Sequence, residues 1–158
     1  MTEGNELADA VEAGWQRFRD VLTQLEADAL ERTTPAGWTA KEMLGHMGFW
    51  EEAAEAVVVT MLRGDQLPDD WAFGSGYVPG DDQPWPRSDV HNAREATWAA
   101  ERTGAEVLAR LDAAHQRTRA VVCSLTDDEV GDQRFRDYLT EKAGHYDEHR
   151  PELEALLP

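Results

Sequence analysis

Two of the five histidines lie four residues apart near the end of the chain, in the run His145-Tyr146-Asp147-Glu148-His149. If this segment is helical, the spacing stacks both imidazoles on one face, roughly 6 Å apart. Imidazoles at that separation can chelate one metal ion of borderline softness. The alternative is a solvated surface pair that contacts the two carboxylates between them. The spacing therefore indicates a candidate metal site.

Four helices are needed to position such a site, and the apolar periodicity of the chain predicts them. The first runs from Asn5 to Arg32, where apolar residues recur every three or four positions. The second runs from Thr39 to about Leu62 and the third from Ser88 to Ser124. The fourth is clearest from Gln133 to Arg150. Strand-like alternation is missing from the sequence, so the fold class is predicted to be all-α.

Two of the helix starts carry the Ser/Thr-x-x-Glu pattern of a capping box, in which a hydroxyl and a carboxylate satisfy each other's backbone amides. Thr39 and Glu42 mark the start of the second helix, and Trp38 precedes them as a hydrophobic staple. Thr126 and Glu129 repeat the pattern before the fourth helix. These signals predict where both helices begin.

The four helices predict a four-helix bundle, formed by a single domain over residues 1–158. Short turns join the first helix to the second and the third to the fourth, so each pair is expected to be antiparallel. The irregular segment Asp65–Arg87 contains four prolines and lies between the second and third helices. A loop of that length can run along the bundle, which predicts up-down-down-up topology with a long crossover loop.

In that topology the start of the second helix and the end of the fourth lie at the same end of the bundle. His46, in the second turn of the second helix, can then join His145 and His149. Three imidazoles leave one or more coordination positions open for water or substrate. Open positions are typical of catalytic rather than structural metal sites.

Four further side chains lie near this end of the predicted bundle. Glu42 precedes His46 by one turn and is a candidate general base, although its place in the capping box explains it equally well. Trp50 follows His46 by one turn and either lines a substrate pocket or packs in the core. In the first turn of the third helix, His91 is a candidate for proton transfer and Asn92 for holding a substrate carbonyl. A solvated helix start would explain that last pair as well.

The crossover segment is rich in aromatic residues, among them Trp71, Tyr77 and Trp85. Aromatic side chains in an irregular segment need a surface to bury against. Three surfaces are open to them: the bundle itself, a ligand at the metal site, or a second subunit. We list Trp71, Tyr77 and Trp85 with Trp50 as candidate residues of the substrate pocket.

Two other residues of interest lie on the third predicted helix. His115 stands on its apolar stripe and is expected to be a core or groove histidine without a catalytic role. Cys123, the only cysteine, has no cationic neighbour in sequence to lower the pKa of its thiol, and it is expected to be buried. Any thiol used in the chemistry would therefore come from outside the chain.

Charge excludes two classes of partner. The chain has 15 Lys and Arg against 32 Asp and Glu, for a formal net charge of -17. Such an excess repels nucleic acid and anionic lipid, so neither nucleic acid nor a membrane is expected as a partner. The acidic N-terminal residues are unlike a signal peptide, and a cytoplasmic location is expected.

The run Gly37-Trp38-Thr39-Ala40-Lys41-Glu42-Met43-Leu44-Gly45-His46-Met47 resembles the Trp-Ser/Thr-x-x-Glu-x-Leu-x-His-Leu signature of the DinB-like, or YfiT-like, superfamily. The pair His145 and His149, about one hundred residues later, resembles the closing His-x-x-x-His of the same family. The resemblance implies an up-down-down-up four-helix bundle that binds a divalent metal, often nickel or zinc, through three histidines. Carried over to this sequence, the ligands would be His46, His145 and His149.

The resemblance also implies a range of activities. Characterised members include thiol transferases that use bacillithiol or mycothiol, maleylpyruvate isomerases, and self-resistance proteins that open cyclopropane warheads. The mycothiol-dependent isomerases carry an additional C-terminal domain, whereas this sequence ends at Pro158, which makes an isomerase less expected. The resemblance further implies a homodimer.

These features together predict a metal-dependent enzyme that activates a low-molecular-weight thiol or water for attack on an electrophilic small molecule. The expected class is a thiol S-transferase or a hydrolase with a role in detoxification. The alternative is a binding protein with the same bundle that sequesters its ligand without turnover.

Overall fold

A computed structural model describes residues 3–62, 88–131 and 133–158 of the chain. The described regular structure is helical, apart from one isolated bridge between Thr33 and Thr39. The prediction of an all-α fold is therefore confirmed. The helices are α1 (Glu3–Leu22), α2 (Ala40–Leu62), α3 (Ser88–Ala100), α4 (Gly104–Cys123), α5 (Asp127–Gly131) and α6 (Gln133–Glu154), with a short 3-10 helix at Ala29–Glu31.

The first helix ends earlier than the apolar periodicity predicts, at Leu22 instead of Arg32. Two polar side chains just beyond its end explain the difference. Thr23 Oγ1 and Gln24 Nε2 both donate hydrogen bonds to the carbonyl oxygen of Asp20, at 2.9 and 2.8 Å. That carbonyl would otherwise accept from the backbone amide of Gln24 in a continuing helix. Side-chain bonds of this kind compete with the helical pattern and favour its end.

The prediction of one continuous helix from Ser88 to Ser124 is wrong, because residues 101–103 divide it into α3 and α4. Thr103 caps α4 through a complete capping box. Its hydroxyl accepts from the Glu106 amide at 3.3 Å, and its own amide donates to the Glu106 carboxylate at 2.8 Å. The pattern is the same one that predicted the two other helix starts.

Those two predicted helix starts are confirmed by the same pair of bonds. The amide of Thr39 donates to Glu42 at 2.7 Å, and the Glu42 amide donates back to the Thr39 hydroxyl at 3.2 Å. Thr126 and Glu129 repeat this exchange at 2.8 and 3.3 Å. The second of these boxes starts the short helix α5, and α6 follows it.

Contacts between helices give their relative directions. Arg17 of α1 pairs with Asp147 of α6, and Gly14, one turn earlier, lies against Ala143. Residue numbers rise together along both helices, so α1 and α6 are parallel. A Cβ at position 14 would lie 2.7 Å from the Ala143 carbonyl oxygen, so this close approach requires glycine.

Helices α2 and α4 are also parallel to each other, since Glu52 pairs with Arg110 and Glu55 with Arg117. They run opposite to α1 and α6. The ion pairs between α1 and α4 show this, because they join the early Glu12 to the late Arg119 and the late Arg19 to the early Asp112.

Helix α3 runs opposite to α2 and packs beside it. Gly45 lies against Ala99, near the end of α3, and Phe49 stacks on His91, near its start, with ring centroids 4.5 Å apart. The predicted crossover loop, with Trp71, Tyr77 and Trp85, lies outside the described residues, and the full topology stays a prediction.

The main apolar core lies between α1, α2, α4 and α6. Its most completely buried apolar side chains are Val11, Phe18, Met43, Leu44, Met47, Leu111 and Leu153. Trp15 belongs to this core and stacks on His115 with ring centroids 4.0 Å apart. His115 itself is fully buried, which confirms the expectation of a core histidine. Cys123, by contrast, is exposed, so the expectation that it is buried is wrong.

Charged groups are also buried in this core. Glu51 of α2 is fully buried, and Lys142 of α6 approaches it with Nζ 2.5 Å from Oε1. The Tyr146 hydroxyl donates to the same carboxylate and lies 2.9 Å from Nδ1 of His115. Burial alone raises the pKa of the Glu51 carboxyl. The Lys142 ammonium and the hydrogen bonds outweigh burial and lower that pKa to about 2.

We expect Lys142→Met to lower the free energy of unfolding by about 3–5 kcal/mol, because it leaves the Glu51 carboxylate buried without its cation. Urea denaturation measures this loss. Arg17→Met is the matched control, since its pair with Asp147 has side chains 48% and 37% exposed, and it should destabilise the fold far less because solvent screens an exposed pair. Equal losses in the two variants would contradict a structural role for the buried pair.

Candidate metal centre

Three histidines from two helices meet at one point of the fold. His46 comes from the second turn of α2, and His145 and His149 come from adjacent turns of α6. One ring nitrogen from each lies within 4.8 Å of the other two. The Nε2 atoms of His46 and His145 are 3.3 Å apart. The structure thus brings together the three residues whose spacing suggested a metal site.

Local sequence explains how each helix presents its histidines. On α6 the two residues stand four positions apart and therefore share a face, with ring centroids 4.8 Å apart. On α2 the Thr39 capping box fixes the helix start and therefore the turn on which His46 falls. Helix α6 continues through Pro151 to Glu154, so its last turns remain helical beyond the histidine pair.

The ring of His46 is oriented by Asn92 of α3. Nδ1 of His46 lies 2.8 Å from the Asn92 side-chain oxygen. The same oxygen accepts a hydrogen bond from the indole nitrogen of Trp50 at 3.0 Å. With Nδ1 protonated and held by Asn92, the lone pair of Nε2 faces the other two histidines.

The ring of His149 is oriented by Glu152, one turn later on α6. Nδ1 of His149 lies 2.8 Å from Oε1 of Glu152. The second carboxylate oxygen, Oε2, accepts from the Thr34 hydroxyl at 2.7 Å and from the Trp38 indole at 2.6 Å. Metal-ligating histidines are commonly held in this way by a carboxylate or an amide oxygen.

The connection between α1 and α2 supplies both of these additional donors. It forms a tight turn in which the Thr34 amide donates to the Trp38 carbonyl at 2.7 Å. Gly37 has a φ of 96°, a left-handed conformation that favours glycine. The turn brings the ring of Trp38 to 5.0 Å from that of His46 and 5.8 Å from that of His149.

Burial keeps two of the imidazoles neutral. Desolvation is the largest influence on the pKa of His46, and electrostatic interactions with His149 and Lys142 act in the same direction. Together they lower the pKa of His46 to about 4, although Asn92 and Glu152 oppose them. Desolvation and the Lys142 ammonium likewise lower the pKa of His145 well below its ordinary value. Neutral imidazoles are the form that binds a metal, so no proton has to leave these rings near pH 7.

The donor set fits a borderline divalent ion. Three neutral imidazole nitrogens suit zinc, nickel, copper or iron, whereas calcium and magnesium prefer oxygen ligands. Glu152 adds a negative charge beside the site without being a fourth ligand in this arrangement, since both of its oxygens accept hydrogen bonds. Burial acts to raise the pKa of this carboxyl, but the hydrogen bonds from Trp38, His149 and Thr34 together outweigh burial and lower that pKa.

The other predicted catalytic residues have defined positions. The Glu42 carboxylate lies in the Thr39 cap. The His91 ring is buried and stacks on Phe49. The Asn92 oxygen contacts His46 and Trp50. Catalytic roles for Glu42, His91 and Asn92 stay predictions.

Among the predicted pocket residues, Trp50 is the one that the structure describes. It is partly buried, and its ring lies 6.2 Å from that of His46. Trp71, Tyr77 and Trp85 lie outside the described residues.

Sequence reasoning missed three residues of the site. The spacing of Glu152, three positions after His149, could have revealed it, because residues at that separation are neighbours on a helix. Trp38 was expected only as a staple, and its contacts with Glu152 and two histidines depend on the turn that precedes α2. Thr34 carries no sequence signal, since it reaches Glu152 only through the same turn.

Comparison with known protein families identifies the chain. The family model of the DinB superfamily matches residues 10–152, so the chain belongs to that superfamily. This confirms the resemblance read from the Trp38–His46 and His145–His149 motifs. Comparisons with curated proteins and with solved structures give no match. Within the described residues, no helix is long and apolar enough to cross a membrane.

We expect the metal-free protein to lose stability as the pH falls from about 6.5 to about 4. The pKa of His46 is lower in the folded state, so the unfolded chain binds the proton first and acid favours unfolding. Between pH 7 and pH 5 the melting temperature should fall by about 5 °C, as measured by circular dichroism after chelator treatment. In His46→Gln the dependence should be shallower. Identical slopes would contradict the depressed pKa.

Proposed function

We propose that this member of the DinB superfamily is a metal-dependent enzyme whose His46, His145 and His149 hold one divalent ion, zinc or nickel. The observation that carries the proposal is the convergence of three imidazoles, with Nδ1 of His46 on an amide oxygen and Nδ1 of His149 on a carboxylate oxygen. When bound, such an ion lowers the pKa of a coordinated thiol or water and so supplies a nucleophile near neutral pH.

The substrate class in this proposal is an electrophilic small molecule. Trp38 and Trp50 both lie near His46, with ring centroids 5.0 and 6.2 Å from its ring, and provide aromatic surface beside the metal site. Aromatic walls with a few oriented polar groups suit a mainly apolar ligand. On sequence grounds, Trp71, Tyr77 and Trp85 extend this pocket.

The nucleophile is proposed to be water or an external low-molecular-weight thiol of the mycothiol type. The corresponding reactions are hydrolysis and thiol S-transfer. Glu42 and His91 are the candidates for accepting the proton that the nucleophile releases, and Asn92 is the candidate for holding a substrate carbonyl. A cytoplasmic homodimer acting in detoxification completes the proposal.

One observation favours the alternative, a binding protein that sequesters an electrophile without turnover. All three candidate catalytic groups already have structural contacts, because Glu42 caps α2, the Asn92 oxygen holds His46 and the His91 ring stacks on Phe49. A site in which these groups remain engaged would bind its ligand with few groups free for proton transfer.

Metal content is the first test. We expect the purified protein, after loading with zinc and desalting, to hold about one ion per chain by elemental analysis, since three imidazoles form one site. His46→Ala should lower zinc affinity by at least about tenfold, because it removes one of three ligands. Glu148→Gln, an exposed change between the two α6 ligands, is the control. Unchanged metal binding in His46→Ala would overturn the proposed site.

Turnover is the second test. The zinc-loaded protein would be incubated with monochlorobimane, with and without mycothiol, and the products identified by mass spectrometry. A thioether formed faster than in the His46→Ala control indicates S-transfer, with the sulfur bonded to carbon and chloride released. A hydroxyl product indicates hydrolysis. Bound but unmodified bimane supports sequestration and contradicts the enzyme proposal.

A further inference from the structure

We propose that Glu152 and Asn92 are positioning residues that set different donor strengths for two of the metal ligands, making His149 the stronger donor and His46 the weaker. This inference rests on the proposed metal site. It concerns how the chain tunes that site through groups that do not themselves bind the ion.

The same arrangement occurs twice around the three histidines. In each case an indole N–H and an imidazole Nδ1–H point to one acceptor side chain. Trp50 and His46 share the Asn92 oxygen, at 3.0 and 2.8 Å. On the other side, Glu152 accepts from Trp38 and His149. We call these two arrangements the amide triad and the carboxylate triad.

Both triads fix the same tautomer. An oxygen acceptor at Nδ1 requires the proton on that nitrogen, which leaves the Nε2 lone pair for a metal. In the amide triad the Trp50 indole lies 3.1 Å from Nδ1 of His46 as well. Since the Asn92 oxygen can accept from both groups at once, a protonated Nδ1 satisfies all three side chains. Nε2 of His46 then faces that of His145.

The triads differ in charge. Glu152 is a carboxylate, and a charged acceptor draws the Nδ1 proton more strongly than a neutral one, which raises the electron density at Nε2. One of its oxygens, Oε1, accepts a hydrogen bond from His149, while Oε2 accepts hydrogen bonds from Thr34 and Trp38. His149 therefore has a carboxylate oxygen that no other hydrogen bond in the described part of the chain shares.

Asn92 is a weaker hydrogen-bond acceptor for Nδ1 of His46 than Glu152 is for Nδ1 of His149. Its acceptor is a neutral amide oxygen, and that oxygen is divided between His46 and Trp50. A shared neutral acceptor polarises the imidazole less, so His46 donates more weakly to a bound ion. The two ligands face the same centre from different helices, yet the chain supports them unequally.

A purely structural role makes a different prediction. On that view Glu152 only ties the α1–α2 turn to α6, and Asn92 only ties α3 to α2. Placing a carboxylate at position 92 would then leave metal affinity unchanged or weaken it. Under the tuning role, Asn92→Asp converts the amide triad into a second carboxylate triad and should tighten metal binding.

The experiment measures zinc and cobalt affinity of the full chain by competition with a chromophoric chelator. Glu152→Gln replaces one acceptor oxygen by an amide donor and should weaken binding by about 10–100-fold. Asn92→Asp should strengthen binding by roughly 3–10-fold and shift the visible absorption maxima of the cobalt form. The matched controls are Glu154→Gln, on the exposed surface of α6, and Gln116→Glu, which adds the same charge on exposed α4.

Each outcome has a distinct meaning. If the wild-type chain binds neither zinc nor cobalt, the proposed function and this inference both fall. If it binds them and Asn92→Asp binds more weakly or equally, or if folded Glu152→Gln stays within about twofold of the wild type, this inference alone is overturned. Circular dichroism checks folding. Should Glu152→Gln fail to fold, the affinity and cobalt spectrum of Asn92→Asp decide.

Discussion

The contact between α2 and α6 is the constraint on which the rest of the structure depends, because these two helices bury polar groups against each other. In the core, Glu51 of α2 meets Lys142 and Tyr146 of α6. One turn away, His46 of α2 meets the two histidines of α6. Buried polar groups stabilise a fold only when each finds a partner with good geometry. The register between the two helices is therefore set by pairing as well as by packing.

That pairing links stability to chemistry. Lys142 serves the core by neutralising Glu51, and its charge also helps to keep His46 and His145 unprotonated. The α1–α2 turn has a similar double role, since Trp38 packs against the core and, together with Thr34, holds the carboxylate that orients His149. A site of this kind is preorganised, because the groups that position the ligands are themselves held by the fold.

The sequence predicted much of this, and its failures have physical causes. Capping boxes located two helix starts correctly because they are local interactions, decided within four residues. The prediction of one continuous helix from Ser88 to Ser124 was wrong because the apolar periodicity continues without interruption past Thr103. At Thr103 a third capping box begins a helix with a new direction. The predicted end of the first helix was wrong because side-chain hydrogen bonds to the Asp20 carbonyl compete with the backbone pattern and end the helix at Leu22.

The sequence by itself determined the helical class, which follows from apolar periodicity, and the family with its three histidines, which follow from the resemblance of two motifs to that family. Only the tertiary structure decided which groups support those histidines. Glu152, Asn92, Trp38 and Thr34 belong to the site because α3, α6 and the turn before α2 bring them to the same place. Separations of 46 residues between His46 and Asn92 and of 118 between Thr34 and Glu152 leave no local signal. These contacts between distant parts of the chain exist only once the helices have packed, whereas Glu152 and His149 are neighbours on one helix.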